Sequence, residues 1–205
     1  MLKVALTGGI ATGKSHVLEE LRRRGIPCLD ADVLAHGATA AGTESTQAIA
    51  ERFGADVLAA DGAVDRQKLA AVIFADDQAR RDLEAIVHPA VYRAIGAGLR
   101  AFESLGDALA VVDVPLLYET GHEGDFDHVI ATTCAADVQM RRLLSRGLSK
   151  QEARARLAAQ WASAEKAARA DFVIETGGTF EETRRQLDEI LRRLETSQAS
   201  TSSAS

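Results

Sequence analysis

The strongest chemical signal in the chain is Gly8-Gly9-Ile10-Ala11-Thr12-Gly13-Lys14-Ser15. A glycine, four residues and then Gly-Lys-Ser is the spacing of a loop whose backbone N–H groups wrap phosphates, while the helix that follows adds positive potential at its N-terminus. In that pattern Lys14 reaches the β- and γ-phosphates and Ser15 ligates magnesium. The loop, with His16 at its helical end, therefore reads as a site for ATP and magnesium.

Two further groups of carboxylates fall where such chemistry needs them. Asp113 closes the apolar run Leu109-Ala110-Val111-Val112, and P-loop proteins use a carboxylate in that place to help hold magnesium, often through water. Asp30-Ala31-Asp32 closes a second short apolar run; on its own this is common turn chemistry, but downstream of a phosphate loop one of the two is expected to accept the proton of an incoming hydroxyl. The third feature is charge. Residues 141–169 hold eight basic side chains against Glu152 and Glu165, so this stretch is +6 within a chain of net charge −6 and the remainder carries −12. A basic run is commonly a solvated helix face. Beside a phosphoryl-transfer site it also reads as an arginine-bearing lid that stabilises transferring charge and excludes water, with Arg142 and Arg146 four apart on one face.

These residues need a scaffold that brings strand ends together. Leu2 to Leu6, Ile26 to Leu29, Leu109 to Val112, His128 to Thr132 and Phe172 to Ile174 read as five short apolar strands, and helical patterns lie between them. Parallel strands need helical crossovers, so the expected fold is α/β, a five-stranded parallel sheet with helices on both faces. Between Asp32 and Leu109 only helices are expected, with starts near Thr43, Asp65, Asp76 and Pro89. Ser149 with Glu152, and Thr179 with Glu182, are capping boxes; the first opens a helix to about Trp161, and the second opens a closing helix with Leu187, Ile190, Leu191 and Leu194 on one face. The expected organisation is one domain over 1–195: a core of 1–32, 107–136 and 170–195, a helical acceptor-side region of about 33–106, and a lid of about 137–169. Residues 196–205 are expected to form a disordered tail.

Several features carry a plainer reading. Cys28 and Cys134 lack redox-pair or metal spacing and read as buried free thiols. His122-Glu123-Gly124-Asp125-Phe126-Asp127-His128 has metal-like composition without metal-like spacing, and reads as an exposed connection. His88-Pro89 reads as a helix boundary. No stretch approaches the roughly 20 apolar residues of a membrane span, and Met1-Leu2-Lys3-Val4 leads straight into a strand rather than a signal peptide. A cytoplasmic protein that binds neither membrane nor nucleic acid is expected, with a monomer favoured and the net negative charge opposing a polyanionic partner.

Taken together, the motifs resemble the dephospho-coenzyme A kinase family. The resemblance covers about Leu2 to Leu194 and rests on Leu6-Thr7-Gly8-Gly9-Ile10 leading into Gly13-Lys14-Ser15, on Asp30-Ala31-Asp32, Ile86-Val87-His88-Pro89 and Asp113-Val114-Pro115-Leu116-Leu117-Tyr118-Glu119, and on Gln160 followed by Lys166 and Ala170-Asp171. It implies a P-loop kinase fold with a helical acceptor-binding insertion and a helical lid. The implied reaction moves the γ-phosphate of ATP to the ribose 3′-hydroxyl of dephospho-CoA, the last step of coenzyme A synthesis, with Mg2+ as cofactor. Asp32 matches the family's catalytic base, and Arg142 and Arg146 match basic lid positions. The chain departs from the pattern at Ala11, where glycine is frequent, at His16 in place of threonine, at Gly147 in place of an acidic or polar residue, and over Glu175-Thr176-Gly177-Gly178, which lacks an asparagine. A kinase for another small molecule keeps Lys14 and Ser15 and changes the acceptor. A GTP switch needs a guanine-reading Asn-Lys-x-Asp, which the sequence lacks, and a nucleotide sensor needs no base.

Overall fold

The computed structural model describes residues 1–74 and 76–202, with side chains as far as Thr196. β1 (Leu2–Gly8) leads through the glycine loop into α1 (Lys14–Arg23). Val4, Ala5 and Leu6 are fully buried, so both faces of β1 are covered, which is why its sequence is a continuous apolar run rather than an alternation. α1 ends in a Schellman motif: Gly25 has φ +76, its N–H bonds Arg22 O at 3.0 Å, and the Ile26 N–H bonds Leu21 O at 3.2 Å. That cap takes the Ile26 N–H. β2 consequently begins at Cys28, two residues later than the apolar pattern suggests, and spans Cys28–Asp30.

The middle of the chain is helical: α2 (Ala31–Ala38), α3 (Glu44–Phe53), α4 (Arg66–Phe74) and α5 (Asp77–Ser104). An isolated antiparallel bridge between Leu58 and Val64 is the exception to the helices-only expectation. α5 also runs through Pro89, where a helix start is expected. Losing one interior hydrogen bond costs about 3 kcal/mol, but Val91, Ile95 and Leu99 lie buried on the turns beyond it, and their burial favours continuing the helix.

β3 (Leu109–Asp113), β4 (His128–Thr133), α6 (Ala136–Ser145), α7 (Lys150–Ala158), α8 (Ser163–Arg169), β5 (Phe172–Glu175) and α9 (Phe180–Ser202) complete the chain. The five strands make one parallel sheet in the order β2-β3-β1-β4-β5. Val17, Leu18 and Leu21 of α1 and Leu187, Ile190 and Leu194 of α9 bury against Val4, Leu6, Val111, Ile130 and Ile174 of the sheet. Both capping boxes form, at Ser149–Glu152 and at Thr179–Glu182. The first opens a helix that stops at Ala158, and a separate α8 follows. α9 continues to Ser202, through much of the stretch expected to be a disordered tail, since each residue added to a packed helix gains a hydrogen bond without a new nucleation cost; residues 203–205 lie outside the described residues.

One domain is expected, but the described residues gather into two compact units. The first comprises Met1–Cys28 with Phe102–Ser205, and the second Leu29–Ala101. The second unit has its own core of Ile49, Val57, Val64 and Leu69, flanked by Phe53 and Ile73. Asp30 and Asp32 belong to this helical unit rather than to the sheet-bearing one.

Candidate active site

Parallel pairing sets the site's first distance. Leu6 of β1 lies opposite Asp113 of β3, so the carboxylate stands where β1 gives way to the glycine loop. Lys14, on the first turn of α1, returns to form an ion pair with Asp113 Oδ1. The pair is largely buried, with side chains 15% and 6% exposed. Ser15 follows on the same turn and is exposed.

The loop shape is enforced by close approach. A Cβ on Gly8 would stand 2.2 Å from Thr132 Oγ1, and Gly13 adopts φ +86 as it enters α1. Ala11 has φ +60, a left-handed conformation that costs a non-glycine residue about 1 to 2 kcal/mol. A glycine would adopt that conformation without the cost. The Ala11 methyl is buried beside Leu143 and Ala153, which links the loop to α6 and α7.

Side chains hold the loop at every residue from Ile10 to Thr12. The Ile10 N–H donates to Gln160 Oε1 at 3.0 Å, and Gln139 Nε2 donates to Ile10 O at 2.7 Å. Arg142 donates to Ala11 O at 3.1 Å and to Thr176 O at 2.6 Å. Thr176 Oγ1 donates to Thr12 O at 2.5 Å, and Thr12 Oγ1 donates to Gly9 O at 2.7 Å. Sequence reading left Gln139 unnoticed, left Thr176 unassigned, and had Gln160 only as part of a motif; none of these carries a charge or a periodic pattern to announce it.

α6 and α8 are bonded to the glycine loop and the β3 exit, and Arg142, expected on the lid, has its guanidinium on the loop. α6 ends at Ser145, and Arg146 is its exposed C-cap residue, with φ −84 close to helical and ψ 6 turning the chain into Gly147. Gly147 has φ +87, the left-handed residue that closes many helices, which explains a glycine there.

His16 packs its ring on Phe180 at 4.5 Å, and its N–H bonds Gly13 O at 3.0 Å, so that N–H is already engaged within the helix start. Asp30 is the N-cap of α2: its Oδ1 accepts from the N–H groups of Asp32 at 2.9 Å and Val33 at 3.2 Å. Asp32 stands exposed on the first turn of α2. Cys28 and Cys134 are free, and burial pushes the Cys28 thiol up to about 11 and raises Cys134 as well, so neither favours a thiolate.

Asp113 offers a buried carboxylate and Ser15 an exposed hydroxyl, hard oxygen donors of the kind that suit magnesium. That ion keeps several waters and takes phosphate oxygens as ligands instead of requiring an all-protein cage.

Comparison with known proteins agrees with this geometry. A family model described as dephospho-CoA kinase matches residues 2–182. The dephospho-CoA kinase of Anaeromyxobacter dehalogenans is 50% identical over 195 residues, covering 95% of this chain and 92% of the relative. That of Geobacillus kaustophilus is 44% identical over 193 residues, covering 94% and 96%. Among solved structures, TT1252 from Thermus thermophilus superposes with TM-score 0.80 at 34% identity over 94% of this chain and 97% of its own. Dephospho-CoA kinase from Campylobacter jejuni gives 0.71 at 25% over 94% and 96%.

Proposed function

The chain belongs to the dephospho-CoA kinase family, and from that membership we propose how its residues divide the work of phosphorylating the ribose 3′-hydroxyl of dephospho-CoA with ATP. The observation that carries the assignment is the Lys14–Asp113 pair at the carboxyl ends of adjacent parallel strands, where open α/β sheets place their sites.

The loop from Gly8 to His16 binds the ATP phosphates, with Lys14 as the charged contact to the β- and γ-phosphates. Ser15 and Asp113 are the residues that would hold Mg2+, which when bound neutralises charge on the phosphate oxygens. Asp32 accepts the proton of the attacking hydroxyl. Its support is that Asp30 is engaged as a helix cap and Asp32 is not. Arg146 stabilises charge on the transferring group. We assign Arg142 a positioning role, because its guanidinium holds Ala11 O and Thr176 O.

The helical unit receives the acceptor. In support, it contains a cavity of about 250 Å³ lined by Ala35, Val64, Leu69, Ile73 and Val87, with Arg66 its charged member. We treat residues 1–195 as one kinase domain elaborated by that unit, acting as a monomer in the cytoplasm without nucleic acid or membrane. Among the described residues no helix is long and apolar enough to cross a membrane.

Asp32→Asn tests the proposal. It is expected to keep ATP affinity and lower turnover by about 10² to 10⁴, the usual contribution of a positioned general base. Undiminished turnover would remove Asp32 from the mechanism.

A further inference from the structure

Lys166 is the bulkiest fully buried side chain among the described residues, and it is charged. It lies on α8, which packs against β1 and β4. Its Nζ donates to Pro115 O at 2.6 Å and pairs with Glu119, at 2.7 Å to Oε1 and 2.9 Å to Oε2. Desolvation draws the pKa of Lys166 down, against the opposing pull of Glu119. Glu119 Oε1 also accepts the Trp161 N–H at 3.0 Å.

Stability alone does not call for this arrangement, since a well-packed apolar pair commonly replaces a buried ion pair without loss. A methionine, however, cannot bind a carbonyl. Pro115 has no N–H, so its carbonyl is the only backbone group by which the chain can be hydrogen-bonded at that residue. One residue earlier, the Val114 N–H bonds Leu6 O at 2.9 Å; at Pro115, the ammonium takes over where the strand ladder ends. Thr7 Oγ1 reaches the same carbonyl at 3.4 Å, which brings the end of β1 to this point as well.

We propose that Lys166 is a positioning residue for Asp113: by binding Pro115 O it holds the exit of β3 so that the carboxylate two residues earlier stays against Lys14 and in reach of magnesium. This rests on the reading of Asp113 as the metal-side carboxylate.

The test compares Lys166→Met, the double variant Lys166→Met/Glu119→Gln, and Glu119→Gln in the full chain. The readouts are thermal midpoint, kcat, the KM of dephospho-CoA, and the Mg2+ concentration for half-maximal rate. The single lysine variant leaves the half-buried Glu119 without its cation and is expected to lower the midpoint; the double variant removes that charge and recovers it. Turnover in the double variant is expected to stay about 10-fold or more below the parent, with a raised Mg2+ requirement and unchanged KM for dephospho-CoA, the scale at which outer-shell partners of metal ligands act. A double variant with both parental turnover and parental Mg2+ dependence overturns the proposal and leaves Lys166 a packing residue. Glu119→Gln keeps the bond to Pro115 O and decides the matter if the lysine variants do not fold: an unchanged Mg2+ requirement supports the proposal, and a severalfold rise overturns it. Asp113→Asn, measured in parallel, separates the two readings. An unchanged Mg2+ requirement there overturns the metal role of Asp113, and the turnover of the double variant, or of Glu119→Gln where that does not fold, then decides for Lys166.

Discussion

Two groups of cations in the basic segment from 141 to 169 look alike in sequence and differ in the fold. Arg142 and Lys166 have their charged heads on backbone carbonyls, Ala11 O and Thr176 O for one and Pro115 O for the other. Arg146, Lys150, Arg154 and Arg156 are exposed. The first pair shapes the loop and strand exit to which we assign the phosphates; the second group, in that assignment, is open to charge that arrives with substrate. Positive charge near a phosphate site is thus not one device. Cations that meet carbonyls build the site, and cations that meet water can meet the transferring group.

Variants that separate stability, affinity and turnover sharpen this contrast. Arg146→Ala has the larger expected effect, a fall in kcat of about 10², the scale of losing one preorganised charge from a transition state. Its thermal midpoint should barely move, because substitutions at exposed positions usually stay within about 0.5 kcal/mol. A defect confined to the KM of ATP would take Arg146 out of the transition state and dissolve the contrast. Arg142→Ala should show the reverse profile: a destabilisation of about 1.5 to 3 kcal/mol, as for hydrogen bonds to charged groups, together with a raised KM for ATP and a smaller change in kcat. Thermal melts and ATP saturation curves distinguish the two, and a stable Arg142→Ala with only kcat impaired would return that arginine to the lid.

What could be read in advance was whatever is encoded locally. The glycine loop, the five apolar strands and both capping boxes depend on neighbours within a few residues, and they form close to where spacing puts them. The resemblance to known kinases was legible for the same reason, as ordered short motifs. Less legible were contacts that depend on tertiary placement. Lys166 stands out in the sequence only as part of a motif, and its burial against Glu119, 47 positions away, comes from the placing of α8; Ser163–Arg169 has no apolar stripe to mark it as a helix. Gln139 and Gln160 are neutral and aperiodic, yet between them they hold the carbonyl and the N–H of one residue, Ile10. The proline rule erred at Pro89 because burial farther along α5 outweighed one lost hydrogen bond. Arg142 and Arg146 differ because only Arg142 meets the loop carbonyls, while Arg146 caps its helix exposed to solvent.

The smallest effect concerns the link between the loop and the helices that hold it. Ala11→Gly relieves a left-handed alanine, a gain of about 1 to 2 kcal/mol. It also removes a buried methyl, a loss of about 0.8 kcal/mol, and frees the unfolded chain by a further 0.4 to 1 kcal/mol or so. These contributions nearly cancel, so the thermal midpoint should stay close to that of the parent. Ala11→Val at the same φ adds a branched Cβ to a conformation that disfavours it and to a buried contact beside Leu143, and should lower the midpoint clearly. If Ala11→Gly instead destabilised by more than about 2 kcal/mol, more than methyl burial supplies, the methyl would be a principal tie between the loop and α6. The tethered side of the contrast would then rest on packing as much as on the hydrogen bonds of Arg142 and the two glutamines.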